Sequence, residues 1–251
     1  MKNKKIVYAV GIGPGAKDLL SSRAKEIIKN CEVVVGYDKY LDQFSELLNG
    51  KVLIPGKMRQ EIDRCISALD ASLEGRSVAV ISSGDAGIYA MAGLLMELSE
   101  NIKYKDITIE VIPGITAASA AAAVLGAPLM NDFAIISLSD LMTPQSVILK
   151  RANGIATAGL VCVLYNPSSR KRNKLIHEVI DIFKNAYDND IWCGIVRHAS
   201  REEESALVCK ISEFSFDKID MSTVVVIGND KTVYKKGKLY TLRGYSDKYG
   251  H

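Results

Sequence analysis

Through the first half of the chain, apolar residues come in short runs with few polar interruptions. Ile6–Val10, Val33–Val35, Val78–Ser82 and Ile107–Ile112 read as strands buried on both faces. Between them the apolar spacing changes to that of helices. Ala24, Ile27, Ile28 and Cys31 recur at helical intervals after Ser21, which has the chemistry of an N-cap. Ile62, Ile66, Leu69 and Leu73 mark a second helix stopped by Gly75, and a third is predicted over Tyr89–Leu98. Strands apolar throughout and separated by helices predict a parallel sheet covered on both faces.

The pattern becomes less regular afterwards. Phe133–Leu138, Leu160–Leu164, Trp192–Val196 and Thr223–Ile227 read as strands, with Leu207–Ile211 as a weaker one and Lys174–Phe183 as a helix. Strands without an intervening helix imply mixed pairing. The change of style falls near Pro113–Ala123 with no flexible linker, which divides the chain into domains at 1–115 and 116–245.

Composition narrows the classes. The chain is 48% hydrophobic and 24% charged, which fits a globular protein with a sizeable core. A net charge of +3 and 7% aromatic residues give no bulk case for nucleic acid binding. No apolar stretch is long enough to span a membrane. The basic, then apolar, N-terminus runs into a glycine loop and reads as a first strand rather than a leader. Cys31, Cys65, Cys162, Cys193 and Cys209 never form CxxC and have no histidine placed to complete a metal pattern. Reduced thiols, no metal site and a cytoplasmic setting are expected.

Several strand ends carry candidate chemistry. Gly11-Ile12-Gly13-Pro14-Gly15-Ala16 satisfies GxGxx(G/A), the fingerprint of a dinucleotide loop. Against that reading, Pro14 sits inside the loop and the next helix starts only near Ser21. Gly36 also stands where an acid should close the second strand, with Asp38 coming later. Ser83-Gly84-Asp85-Ala86-Gly87-Ile88 follows another strand; Asp85 is suited to a ribose or amine, or to capping a helix. Gly114-Ile115-Thr116-Ala117 opens a helix of small residues, with Thr116 at its entrance. After Tyr165-Asn166-Pro167-Ser168, four of the five residues at 170–174 are basic, including Arg170 and Arg172; they suit a polyanion or a solvated turn. His198 and Ala199 follow a strand, and no serine or cysteine nucleophile pairs with the histidine.

The four segments VGIGPG, SSGDAGIY, VIPGITAASAAAA and VLYNPSSR, in this order and spacing, resemble the tetrapyrrole methylase family. The likeness runs from about Ile6 to Asp230. Ile136–Pro144, with Val35-Gly36-Tyr37 and Arg197-His198-Ala199, is most similar to the branch that methylates C-17 of precorrin-3B, or of its cobalt counterpart cobalt-factor III, in cobalamin biosynthesis. The resemblance implies two α/β domains with the active site in the cleft between them, a mostly parallel N-terminal sheet and a mixed C-terminal sheet. It also implies a homodimer that uses S-adenosyl-L-methionine and releases S-adenosyl-L-homocysteine. Cofactor contacts carry over to Pro14, Ser83, Gly84, Asp85, Ile88, Thr116, Ala117, Tyr165, Asn166 and Ala199. Substrate contacts fall on Gly13 and on the carboxylate-binding candidates Arg170 and Arg172, with a second basic cluster over Lys57–Arg64. No iron–sulfur extension is expected.

Methyl transfer from a sulfonium is an in-line displacement that needs alignment more than a protein nucleophile, so the missing triad is in keeping. This branch also contracts the macrocycle, expelling C-20 and closing a lactone, a step that calls for proton movement. Asp140, Ser139 and His198 are the candidates for it. Another precorrin or uroporphyrinogen methyltransferase, a Rossmann-type NAD-dependent oxidoreductase and a non-catalytic nucleotide-binding module are the alternatives.

Overall fold

The structure is a computed structural model and describes residues 5–57, 59–168, 173–217 and 219–250. The chain forms two compact units, Met1–Ala117 and Ala118–His251.

The first unit contains β1 (Lys5–Gly11), α1 (Ser22–Asn30), β2 (Val33–Tyr37), α2 (Asp38–Gln43), β3 (Val52–Gly56), α3 (Glu61–Leu73), β4 (Val78–Ser82), α4 (Met91–Ser99) and β5 (Ile107–Ile112). The sheet order is β3-β2-β4-β1-β5, and every pair is parallel. The all-parallel sheet expected from the apolar runs is therefore present. Its two faces are covered separately. Val7, Ala9, Val33, Val35, Val78 and Val80 pack with α3 and α4, whereas Val10, Val34, Ala79 and Ile81 pack with Ile27 and Ile28 of α1. Alternate strand residues thus serve opposite layers, which is why these strands show no polar alternation.

Ser21 caps α1 as expected, its Oγ accepting from the Ala24 amide at 3.1 Å, a contact worth about 1 kcal/mol. One expectation is corrected, and one segment without a sequence-based assignment gains elements. The helix placed at Tyr89 starts at Met91, because Tyr89 holds φ +52° and ends a loop. The segment 38–56 contains α2 and the edge strand β3, whose Val52 and Leu53 are exposed and whose Pro55 obscures its strand character.

The second unit contains α5 (Ala117–Leu125), β6 (Gly126–Ala127), β7 (Phe133–Ser137), α6 (Gln145–Thr157), β8 (Val161–Tyr165), α7 (Lys174–Ala186), β9 (Trp192–Arg197), β10 (Ser205–Lys210), β11 (Thr223–Ile227), β12 (Thr232–Lys235), β13 (Lys238–Thr241) and α8 (Tyr245–Tyr249). Its main sheet runs β10-β9-β11-β8-β7, with β7 and β8 parallel and the other pairs antiparallel. This is the mixed sheet expected. Leu175, Ile176, Val179, Ile180 and Phe183 place one stripe of α7 in the core beside Ile148 and Ala152 of α6. The hairpin β12–β13 pairs in parallel with β6 to form a small third sheet. No helix in the described residues is long and apolar enough to cross a membrane.

Candidate functional site

In the first unit, the loops leaving β1, β4 and β5 are held together by main chain. The Ile12 amide donates to the Ser82 carbonyl at 2.9 Å. Gly13 and Gly84 form an isolated bridge, exchanging bonds of 3.1 and 2.7 Å. Gly11, Gly84 and Gly114 meet so closely that a Cβ on Gly114 would lie 2.2 Å from the Gly84 carbonyl oxygen, and one on Gly11 would lie 2.7 Å from both that oxygen and the Gly114 amide. Glycine is required at positions 11 and 114 by backbone packing.

Asp85 locks the same assembly. Its Oδ1 accepts from the Gly87 amide at 2.8 Å and its Oδ2 from the Gly114 amide at 3.0 Å. It is not a helix cap: α4 begins six residues later, with no side-chain cap at Ala90. Gly13 and Pro14 are buried, while Ser83, Asp85, Ile88, Thr116 and Ala117 are half-buried. The expected first-unit contacts at 13–14, 83–88 and 116–117 therefore lie on three loops leaving one sheet edge. Open α/β sheets bind ligands at that edge.

In the second unit, the corresponding edge gathers the ends of β7, β8 and β9 and the start of β11. Asn166 Nδ2 donates to Ser137 Oγ at 2.9 Å, and the Ser139 amide donates to the same oxygen at 3.2 Å. Tyr165 Oη accepts from the Ala118 amide at 2.6 Å, satisfying a first-turn donor of α5. Asp140 Oδ2 accepts from Gln145 Nε2 at 2.8 Å across the turn into α6. His198 Nδ1 lies 3.2 Å from Glu203 Oε2, and the Ser200 amide donates to Glu204 Oε2 at 2.6 Å. Asn166, His198 and Ser200 all have positive φ, of 52, 53 and 60°. Ala199 is buried between the last two.

Composition and motif did not reveal Asp220 as a member of this edge. Its Oδ2 accepts from Arg197 Nε at 2.8 Å, and its Oδ1 accepts from the Ser222 amide at 2.8 Å. Burial opposes the Asp220 charge, but the bonds from Arg197, Ser222 and Thr223 outweigh it and hold the carboxyl below its ordinary value. The sequence signal was slight: an aspartate two residues before Ser222 at the mouth of an apolar strand.

The basic candidates fare differently. Arg170 and Arg172 lie outside the described residues. Arg64 is buried, donating to the Lys57 carbonyl at 2.7 Å and lying 3.4 Å from Glu61, and its stem fills the space beside Gly56. It braces the turn after β3 rather than standing ready for a carboxylate. All five cysteines are buried and free. Burial pushes the Cys31 thiol up to about 11 and the Cys65 thiol to about 12, so neither offers a thiolate. Among the described residues no cluster of three His, Cys, Asp or Glu is placed to hold a metal ion.

The sheet order also bears on the glycine loop. In a dinucleotide-binding fold β2 lies beside β1, bringing its terminal acid to the loop; here β4 separates them. A short 3-10 turn at Lys17–Leu19 follows the loop, and α1 starts at Ser22, so no helix N-terminus faces it. What remains is an α/β protein with a loop-built edge on one unit and a polar side-chain edge on the other. The chain belongs to the Tetrapyrrole (Corrin/Porphyrin) Methylases, whose family model matches residues 6–215.

Among its relatives, "Cobalamin biosynthesis protein CbiHC" of Archaeoglobus fulgidus is 42% identical over 97% of this chain, which spans only 53% of that longer protein. "Probable cobalt-factor III C(17)-methyltransferase" of Salmonella typhimurium is 40% identical over 96% of this chain and 100% of its own length. The solved structure of "the methyltransferase CobJ" superposes with a TM-score of 0.90 at 33% identity, covering 94% of this chain and 99% of that one.

Proposed function

We propose that this methyltransferase moves a methyl group from S-adenosyl-L-methionine to C-17 of cobalt-factor III or precorrin-3B, with contraction of the macrocycle. The observation that carries this reading is the 40% identity to the Salmonella relative over nearly the full length of both chains. The separation of β1 from β2 disfavours the NAD-dependent alternative.

The first-unit edge fits the proposed cofactor. Asp85 retains acceptor capacity beyond its two main-chain bonds, Thr116 and Ser83 add hydroxyls, and Gly84 brings main chain close without a side chain. Pro14, Ile88 and Ala117 would complete the contacts in this unit, and Tyr165, Asn166 and Ala199 those in the second. The bound sulfonium supplies an electrophilic methyl group; the protein holds the reactants in line and excludes water. Gly13 would approach the macrocycle, and Arg170 and Arg172 would hold its peripheral carboxylates.

For the contraction step we assign the hydroxyl proton to His198. With Nδ1 facing Glu203, the proton-accepting nitrogen is Nε2. Asp140 is the rival base, and Ser139 would orient the migrating oxygen. The working form is a cytoplasmic homodimer, for which light scattering should return twice the 27.4 kDa chain mass.

The reading is tested by calorimetry and turnover together. S-adenosyl-L-homocysteine should bind while NAD does not, and oxygen-free assays should methylate a metal-free or a cobalt-loaded macrocycle. His198→Gln should then give a methylated, uncontracted product by mass and NMR. Contracted lactone at normal rate from both His198→Gln and Asp140→Asn would remove both residues from the step.

A further inference from the structure

Arg197 closes β9 at the carboxyl edge of the second sheet, next to His198, and neither the cofactor contacts nor the contraction step uses it. Its guanidinium is held side-on. Nε donates to Asp220 Oδ2 at 2.8 Å, and among the described residues neither terminal nitrogen has a partner. Asp220 is itself fixed. Its Oδ1 accepts from the Ser222 amide at 2.8 Å and from Thr223 Oγ1 at 3.0 Å, and its own amide donates to Thr223 Oγ1 at 3.1 Å. Main chain ties the same corner, with the His198 amide donating to the Ser222 carbonyl at 3.0 Å.

Position adds to this. Cys193 and Ile195 lie in the core with Leu175 and Ile176 of α7. Strand alternation puts Arg197 in the same row, on the face that α7 covers. That helix follows the carboxyl end of β8 and opens with exposed Lys174. The segment leading to Asp220 lies against its first turn, where Phe216 stacks on His177 at 3.7 Å. The nearby acids are engaged elsewhere, Glu203 with His198 and Glu204 with the Ser200 amide.

Bracing two strands is a small part of what this pair can do. Its partners are 40% and 42% exposed, and such an ion pair contributes roughly 0–1 kcal/mol to stability. The strands β9 and β11 are already in register, with Thr223 opposite Arg197. An arginine held through Nε still offers its end, two N–H groups matched to the two oxygens of a carboxylate. Fixing the guanidinium plane in advance removes part of the ordering cost of binding. A macrocycle bordered by carboxylates is a ligand of that chemistry.

We propose that Arg197, aimed by Asp220, recognises a peripheral carboxylate of the macrocycle through its two terminal nitrogens. This rests on the tetrapyrrole substrate argued above and gives that substrate an anchor on the second sheet, separate from the cofactor contacts. Asp220 is a positioning residue that touches Arg197 and not the ligand.

The test uses Arg197→Gln, Arg197→Lys and Asp220→Asn in the full chain. Two ligands are compared: cobalt-factor III, and the same macrocycle with its carboxylates converted to primary amides. Binding is read by visible absorption without turnover, beside S-adenosyl-L-homocysteine affinity, the unfolding midpoint and steady-state kinetics. Arg197→Gln should weaken binding of the carboxylate form and raise KM about tenfold, with kcat nearly intact and cofactor-product affinity within about twofold. On the amide form the penalty should vanish, because no charge remains for the guanidinium to meet. Arg197→Lys should lose about threefold, since it keeps the charge and drops the fork. In the Asp220→Asn background the difference between arginine and lysine should disappear; a difference that persists would remove Asp220 from the positioning role. Equal penalties on both forms of the macrocycle would overturn the proposal. A lowered midpoint with normal macrocycle binding would make Arg197 a brace of β9 and β11 and overturn it too, as would a loss of cofactor-product affinity of about tenfold. Wild-type protein that binds the macrocycle without methylating it, and loses that binding in Arg197→Gln, would sink the functional reading and leave the anchor standing. Wild-type protein that does not bind it would sink both.

Discussion

The carboxyl edge of the first sheet is assembled from main chain, whereas the corresponding edge of the second is assembled from side chains. In the first, Gly13, Gly84, Gly11 and Gly114 interlock through amides and carbonyls, and the Asp85 side chain ties them. In the second, Ser137 with Asn166, Arg197 with Asp220 and His198 with Glu203 do the holding, and Asn166 and His198 carry a Cβ into left-handed backbone. The first design leaves no room for error in shape but little dependence on charge. The second tolerates changes of shape and depends on protonation and on each donor. One unit can therefore present backbone to a ligand, and the other can present titratable groups.

The sharpest way to break this contrast is Gly114→Ala. Its new methyl would meet the Gly84 carbonyl at 2.2 Å, with backbone on both sides and no flexible side chain to yield. Urea unfolding should show a loss of about 4 kcal/mol, at the upper end for single substitutions. A loss below about 1 kcal/mol would mean that the loops are not seated by glycine contact at all.

Next is Asn166→Ala, which removes the bond to Ser137 and leaves a less suitable residue at φ +52°. We expect a cost of about 2 kcal/mol, roughly half of it recovered in Asn166→Gly, since glycine accepts that backbone. Equal losses in the two variants would show that the backbone conformation contributes nothing.

Gly84→Val separates binding from folding. The Cβ would meet only ordinary contacts, at 3.8 Å and beyond, but φ is +69°. The fold should survive, and S-adenosyl-L-homocysteine should bind about tenfold more weakly, or about 1.4 kcal/mol. Unchanged affinity by calorimetry would remove this loop from the cofactor site.

The smallest effect is electrostatic. Asp220 has a folded pKa below its unfolded one, so its contribution is present above the usual carboxylate value of about 4 and is lost as pH falls through the folded value. Asp220→Asn should flatten the acid limb of stability below about pH 4 and leave the slope above pH 5 alone. A wild-type-minus-variant difference that stays constant down to pH 2 would contradict this sign.

The two edges were also unequally legible in the sequence. The first unit announced itself because buried parallel strands are uninterrupted apolar runs and its loops are dense in glycine. Even so, the contact of Gly11 with Gly114 arises between segments about a hundred residues apart, which no local pattern records. The helix α6 was missed because Asn153 and Gly154 interrupt it and alanines carry much of its buried face. The edge strand β3 was missed because half-exposed Val52 and Leu53 with Pro55 do not look like a strand. At the second edge His198 was visible, but its partner Glu203 sat in a run of three glutamates with nothing to distinguish it. Asp220 reaches Arg197 only because β11 runs antiparallel to β9, placing Thr223 opposite Arg197.

The order β3-β2-β4-β1-β5 has a consequence in time. Of the five strands in the first sheet β1 is made before the others, yet it has no neighbour among the strands that follow it directly: its partners are β4, with Val7 opposite Val78, and β5, with Ile6 opposite Thr108. At about 10 residues per second, β1 waits roughly 7 s for one side of its pairing and 10 s for the other. The β9–β10 pair closes over a span of a few residues and waits hardly at all. A strand flanked on both sides in the first sheet thus waits for both of its partners during synthesis. Refolding from denaturant should be limited by the first unit, whose centre forms only after both distant partners have come home.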